Sequence, residues 1–126
     1  MKLLLDTHAL IWALTAPERL PQSLLEIVDK ANTNVFASAA SAWEIAIKVA
    51  LGRLRFPIER LPAALVDAAF KELRVNIAHG LEMSRLPLIH RDPFDRLLVA
   101  QARCEGLTLV TRDPTVRRYA IKTLWD

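Results

Sequence analysis

Glycine and cysteine are scarce in this sequence. Its three glycines, Gly52, Gly80 and Gly106, are scattered through 126 residues. No glycine-rich turn exists to bring backbone N–H groups close to a pyrophosphate, which excludes dinucleotide-binding and P-loop enzymes. The lone cysteine, Cys104, cannot close an internal disulfide, and structural zinc loses its usual ligands with it. Cys104 falls in an apolar helical pattern that predicts a buried, inert thiol. Long apolar runs are absent too. Leu3, Leu4 and Leu5 are stopped at once by Asp6, far short of a signal-peptide core or a membrane span, so a cytoplasmic chain with no membrane partner is expected.

What is present fits one globular domain over residues 1–126, too short for a catalytic and a separate binding domain. Hydrophobic residues make up 52% and charged residues 25%, which argues against disorder. The net charge of +3 is only mildly basic. If four of the 14 acids gather in one pocket, 17 basic residues face ten acidic ones elsewhere, and that surface attracts a phosphate backbone.

Apolar periodicity predicts strands at residues 2–6 and 35–37, at Val75 to Ile77, and at Leu107 to Thr111, with a further edge strand at Lys122 to Trp125. Helices are expected from Thr7 to Leu14, Ser23 to Ala31, Ser38 or Ser41 to Gly52, Leu65 to Leu73, Leu81 to Leu86, Asp92 to Gly106, and onward from Asp113. Residues 53–62, framed by Pro57 and Pro62, read as an exposed connector. Strands alternating with helices, without hairpin turns, indicate an α/β fold around a parallel sheet of four or five strands flanked by helices.

In such sheets ligands sit beyond the carboxyl ends of the strands. Asp6 ends the first strand, Asp113 follows the run Leu107 to Val110, Asp95 lies in the first turn of its helix, and Glu44 lies early in the helix after the second strand. Each has an ordinary alternative. Asp92 and Asp113 precede prolines and can be helix caps, with Asp95 completing a capping-box-like arrangement. Glu44 and Lys48 have the spacing of a helix-surface ion pair. Asp6, directly after three leucines, has no evident structural partner. Two carboxylates about 4 Å apart repel by about 4 kcal/mol at an effective dielectric of about 20, so four together call for a neutralising cation. Oxygen-only ligands suit magnesium or manganese rather than zinc. Such a site can ionise water and steady the charge on a phosphate during in-line displacement.

Around the acids, Thr7 and Thr111 can hydrogen-bond carboxylates or water, or simply cap element ends. Arg96 and Arg112 can hold a substrate phosphate or an incoming carboxylate, or be plain surface arginines. His8 and His90 flank the site in sequence, and Trp12, Trp43 and Trp125 are expected to fill the core or an interface.

Four segments, Leu4-Leu5-Asp6-Thr7-His8, Ala42-Trp43-Glu44-Ile45, Asp92-Pro93-Phe94-Asp95-Arg96-Leu97-Leu98 and Leu109-Val110-Thr111-Arg112-Asp113, occur in an order that resembles the PIN-domain toxins of VapC type over nearly the whole chain. The resemblance implies a magnesium-dependent (or manganese-dependent) endoribonuclease, usually dimeric, held inactive by a small cognate antitoxin. It implies that Asp6, Glu44, Asp95 and Asp113 are the metal-holding quartet, with Asp92 in a capping or supporting role. It also implies an antitoxin contact, for which the apolar residues around Leu54, Phe56, Ile58 and Leu61, read as exposed, are the candidates, though they can equally complete the fold. A haloacid-type phosphatase would need a second aspartate where His8 stands. The remaining rival is a non-catalytic receiver or interaction module, which also carries metal in an acidic pocket on a parallel sheet.

Overall fold

The computed structural model describes residues 1–126. Five strands alternate with six helices in chain order: β1 (Lys2–Leu5), α1 (Thr7–Thr15), α2 (Gln22–Val28), β2 (Asn34–Ser38), α3 (Ala39–Ala50), α4 (Leu61–Asp67), β3 (Lys71–Leu73), α5 (Ile77–Arg85), α6 (Pro93–Glu105), β4 (Thr108–Val110) and β5 (Thr123–Leu124). All pairings are parallel, and the sheet runs β3-β2-β1-β4-β5.

The three leucines of β1 explain its central place. Leu3 and Leu5 point into a core formed with Ala9, Leu10, Leu24 and Ile45 of α1, α2 and α3. Leu4 points to the opposite face, into a core with Leu98, Val99 and Ala102 of α6 and with Leu109. A strand apolar on both faces belongs between two helical layers. The chain first builds outward from β1 through β2 and β3, then adds β4 and β5 on β1's other edge. The strand order therefore reverses at β1, and the crevice between the carboxyl ends of β1 and β4 is the topological switch point where such sheets bind ligands.

Several expectations are corrected. The third strand is Lys71–Leu73, not Val75 to Ile77. Asn76 caps α5 instead: its side chain accepts from the His79 backbone at 3.1 Å, and His79 Nδ1 accepts from the Asn76 backbone at 3.1 Å. That reciprocal box starts a helix, and the alternating Val75 and Ile77 stay exposed. The helix expected over Leu65 to Leu73 lies earlier, since Ala69 turns into the left-handed region at φ 58° and releases the chain to pair with β2. After Asp113 only a single 3₁₀ turn forms, Val116–Arg118. Val116 in that turn and Tyr119 directly after it are buried and pack into the second core.

Residues 53–62 are not a free apolar surface. Leu54, Phe56 and Ile58 alternate inward and pack against the first core, and Leu61 is buried. Phe56 thus completes the fold. Cys104 lies on the exposed side of α6, because the apolar residues of that helix already fill its inner face. Trp43 is 62% exposed and meets Phe94 edge-on at 5.2 Å.

Candidate active site

Asp6, Glu44, Asp95 and Asp113 line one cleft of about 160 Å³, together with Asp92, Thr7, His8 and Lys48, and no apolar side chain contributes to it. The elements place each acid by ordinary local rules. Asp6 leaves β1 in extended conformation and caps α1, with Oδ1 accepting from the Ala9 backbone at 2.8 Å. This carboxylate, expected to lack a structural partner, finds one in the cap. Ser38 caps α3, so Glu44 falls on the face of that helix turned toward α1. Asp92 caps α6 by accepting from the backbones of Phe94 at 2.9 Å and Asp95 at 3.1 Å, and Pro93 at the first helical position has no N–H to satisfy. Asp95 is thereby fixed in the first turn.

Glu44 is held at both oxygens. The Thr7 hydroxyl donates to Oε1 at 2.7 Å, and Lys48 Nζ donates to Oε2 at 2.7 Å. The hydrogen bond from Thr7 to a carboxylate and the ion pair between Glu44 and Lys48 are thus both present. The hydroxyls of Thr7 and Ser41 are 3.0 Å apart and extend this junction between α1 and α3. Across the cleft the Thr111 hydroxyl accepts from the Asp113 backbone at 3.1 Å. Asp113 is exposed and accepts from the Thr115 backbone at 2.8 Å.

The carboxylates feel one another. Burial raises the Asp6 carboxyl above its ordinary value, against the lowering effect of hydrogen bonds from Thr111 and Ala9, and Asp113 adds repulsion. Burial pushes Asp95 up to about 6, with repulsion from Asp92 next, a hydrogen bond to His90 opposing, and Asp6 and Glu44 adding smaller repulsions. Acids held this way favour either a proton or a cation. No three of the acidic and histidine side chains close tightly enough to enclose an ion by themselves. The donor set of the cleft is nonetheless carboxylates without a thiolate, the kind of oxygen ligands that hard divalent cations take.

The arginines divide. Arg96 faces away from the cleft: its guanidinium donates to the carbonyl of Pro87 at 2.9 Å, the Tyr119 hydroxyl at 3.0 Å, and the carbonyls of Met83 and His90 at longer range. Its place as a substrate contact is corrected to that of a staple, because these acceptors occupy it. Tyr119 also lies 2.8 Å from His90 Nδ1, and His90 Nε2 is 3.4 Å from Asp95 Oδ2. This relay from Arg96 to Asp95 was not legible, since Tyr119 is 24 residues beyond Asp95 and no motif joins them. Arg112 is exposed and stands over Trp12, with the guanidinium 4.8 Å from the ring centroid.

The family model described as PIN domain matches residues 3–122. No curated protein matches the chain in sequence. Among solved structures, the chain is similar to VapBC2 from Rickettsia felis bound to a promoter DNA fragment, at 18% identity and a TM-score of 0.74, covering 100% of both chains. It is also similar to DNA-bound VapBC from Salmonella typhimurium, at 17% identity and a TM-score of 0.72, covering 98% of this chain and 97% of that one. VapBC-1 from nontypeable Haemophilus influenzae gives 18% identity and a TM-score of 0.68, with 98% and 97% covered. At these identities the likeness shows a shared fold.

Proposed function

Because the chain belongs to the PIN domain family, we propose that it is a divalent-metal-dependent endoribonuclease and the toxin half of a type II toxin–antitoxin pair. The observation that carries this reading is the cleft itself: five carboxylates from four segments meet at the switch point of a parallel sheet, with no apolar wall. Asp6 and Asp95 are assigned as the principal holders of magnesium or manganese, with Glu44 and Asp113 completing the charge around it. A divalent cation bound there offsets the charge that builds on phosphate oxygens and eases ionisation of an attacking water.

The chain's own residues do the rest. Thr7 and Lys48 fix Glu44, so the carboxylate cannot swing away when substrate enters. Lys48 also brings a positive charge to the cleft wall, where an RNA phosphate must approach five acids. In the proposed hydrolysis the water oxygen bonds to phosphorus, the bond from phosphorus to one ribose oxygen breaks, the water's proton passes to an acceptor, and the departing ribose oxygen takes up a proton from solvent to leave as a hydroxyl. Asp113, the exposed member of the quartet, with Oδ1 engaged by Thr115, is assigned as that acceptor.

The antitoxin partner is supported by the fold shared with toxin–antitoxin complexes of the VapBC type. A homodimer belongs to the same reading, supported by Ile77 and Leu81, exposed one turn apart on α5, an apolar stripe that a second protein can cover. No helix of the chain is long and apolar enough to cross a membrane. The test is incubation of antitoxin-free protein with cellular RNA in magnesium, in manganese and in chelator. Fragments in the first two and intact RNA in the third are expected.

A further inference from the structure

Next to the acidic cleft, and sharing Asp6, His8 and Asp113 with it, lies a second cavity of about 280 Å³. Its remaining walls are Trp12, Arg112, Pro114 and Trp125. They come from α1, from the turn after β4, and from the residue after β5. The Trp12 and Trp125 rings are 6.0 Å apart and inclined at 57°, and the His8 ring is 6.1 Å from Trp12. The Arg112 guanidinium lies 4.8 Å from the Trp12 centroid and that of Arg19 lies 5.3 Å away. None of the ion pairs of the chain includes either arginine.

An aromatic cluster that served packing alone would close on itself. This one leaves an open cavity, two arginines without acidic partners, and a wall made of two acids of the cleft. The volume falls just under the roughly 300 Å³ at which drug-sized pockets begin, which suits one planar ring system and excludes a duplex. Aromatic faces and guanidinium planes are the surfaces on which unpaired bases stack, and an unpaired arginine beside them suits the flanking phosphate. Because Asp6 and Asp113 border both cavities, a base seated here lies beside the phosphate presented to the cleft.

We propose that this cavity is the subsite for one unpaired nucleobase of the RNA strand, with Trp125 and Arg112 as its stacking surfaces and Arg19 at the flanking phosphate. The proposal rests on the nuclease reading and gives it a substrate preference: the strand must be single at this position, because a paired base cannot leave its stack to enter.

The test separates the two claims by measuring binding with chemistry switched off. Fluorescence anisotropy of a labelled single-stranded RNA octamer is followed in chelator with the wild type, Trp125→Ala, Trp125→Phe and Arg112→Ala, all checked for folding by circular dichroism. Loss of one stacked base weakens binding by about five- to a hundred-fold, and that loss is expected for Trp125→Ala and Arg112→Ala. Trp125→Phe, which keeps an aromatic face, is expected to stay within about threefold of the wild type. A duplex of the same sequence is expected to bind all four proteins alike. If Trp125→Ala does not fold, Arg112→Ala, an exposed position, decides. Single-strand affinity equal to the wild type in the folded variants overturns the subsite and leaves the nuclease reading intact. An equal loss toward duplex also overturns it, since the contact would then be to backbone alone. A wild type that neither binds nor cleaves RNA overturns both.

Discussion

The Thr7 hydroxyl donates to Glu44 Oε1 at 2.7 Å, so the residue that begins α1 fixes an acid in the second turn of α3. Both are buried. Replacing Thr7 by valine keeps the shape and removes the donor, leaving a buried carboxylate oxygen without its partner. A loss of about 1–3 kcal/mol is expected in urea unfolding, together with weakened nuclease activity. Thr7→Ser is expected to restore most of both. Full stability in Thr7→Val would mean that this bond carries no weight.

Arg96 gives a second prediction of an unusual sign for a residue beside a site acid. Its donors reach carbonyls of the segment from Met83 to His90 and the Tyr119 hydroxyl, so its removal strikes the fold before it strikes substrate. Arg96→Lys is expected to lower stability by about 1–3 kcal/mol, because one ammonium cannot replace the planar fork. RNA affinity of the folded fraction is expected to be unchanged. A stable variant with weak RNA affinity would return Arg96 to the substrate.

The cleft also sets a pH dependence. Burial, followed by repulsion from Asp92, places the Asp95 carboxyl at about 6 against a reference of 3.8, so the folded state holds this proton more firmly than the unfolded chain. The fold loses stability as pH rises through that window, and the full cost is present above about 6. In chelator, the melting temperature of the wild type minus that of Asp95→Asn is expected to fall between about pH 4 and about pH 7. A difference that stays flat or rises contradicts the electrostatics described for the cleft. Excess magnesium is expected to remove the slope by stabilising the ionised form.

The acidic positions and the parallel sheet were legible because both follow from local pattern. An apolar strand ends in an acid, and a proline-marked cap opens a helix. Less legible were features decided by tertiary partners. Asn76 reads like part of a strand until its box with His79 forms, and Phe56 reads as exposed until the core reaches it. Arg96 sits in the motif Asp92-Pro93-Phe94-Asp95-Arg96 and yet turns toward Tyr119, which no local pattern places there. The Glu44 to Lys48 spacing did signal an ion pair, but it could not show that the pair lines the cleft rather than the outer surface.

The most direct measurement exploits the double duty of Asp6. It caps α1 through Oδ1, and asparagine caps a helix about as well as aspartate, so Asp6→Asn removes the charge and keeps the fold. Single-turnover cleavage of a single-stranded RNA is followed at rising magnesium for wild type and Asp6→Asn, both antitoxin-free and with folding verified by circular dichroism. The expected result is magnesium-dependent cleavage by the wild type and a loss of about 100-fold or more in the variant, beyond the 10–100-fold typical of residues that merely support a metal ligand. Equal rates in the two proteins, or a folded wild type that takes up magnesium and cuts no RNA, would contradict the account and leave a metal-binding interaction module in its place.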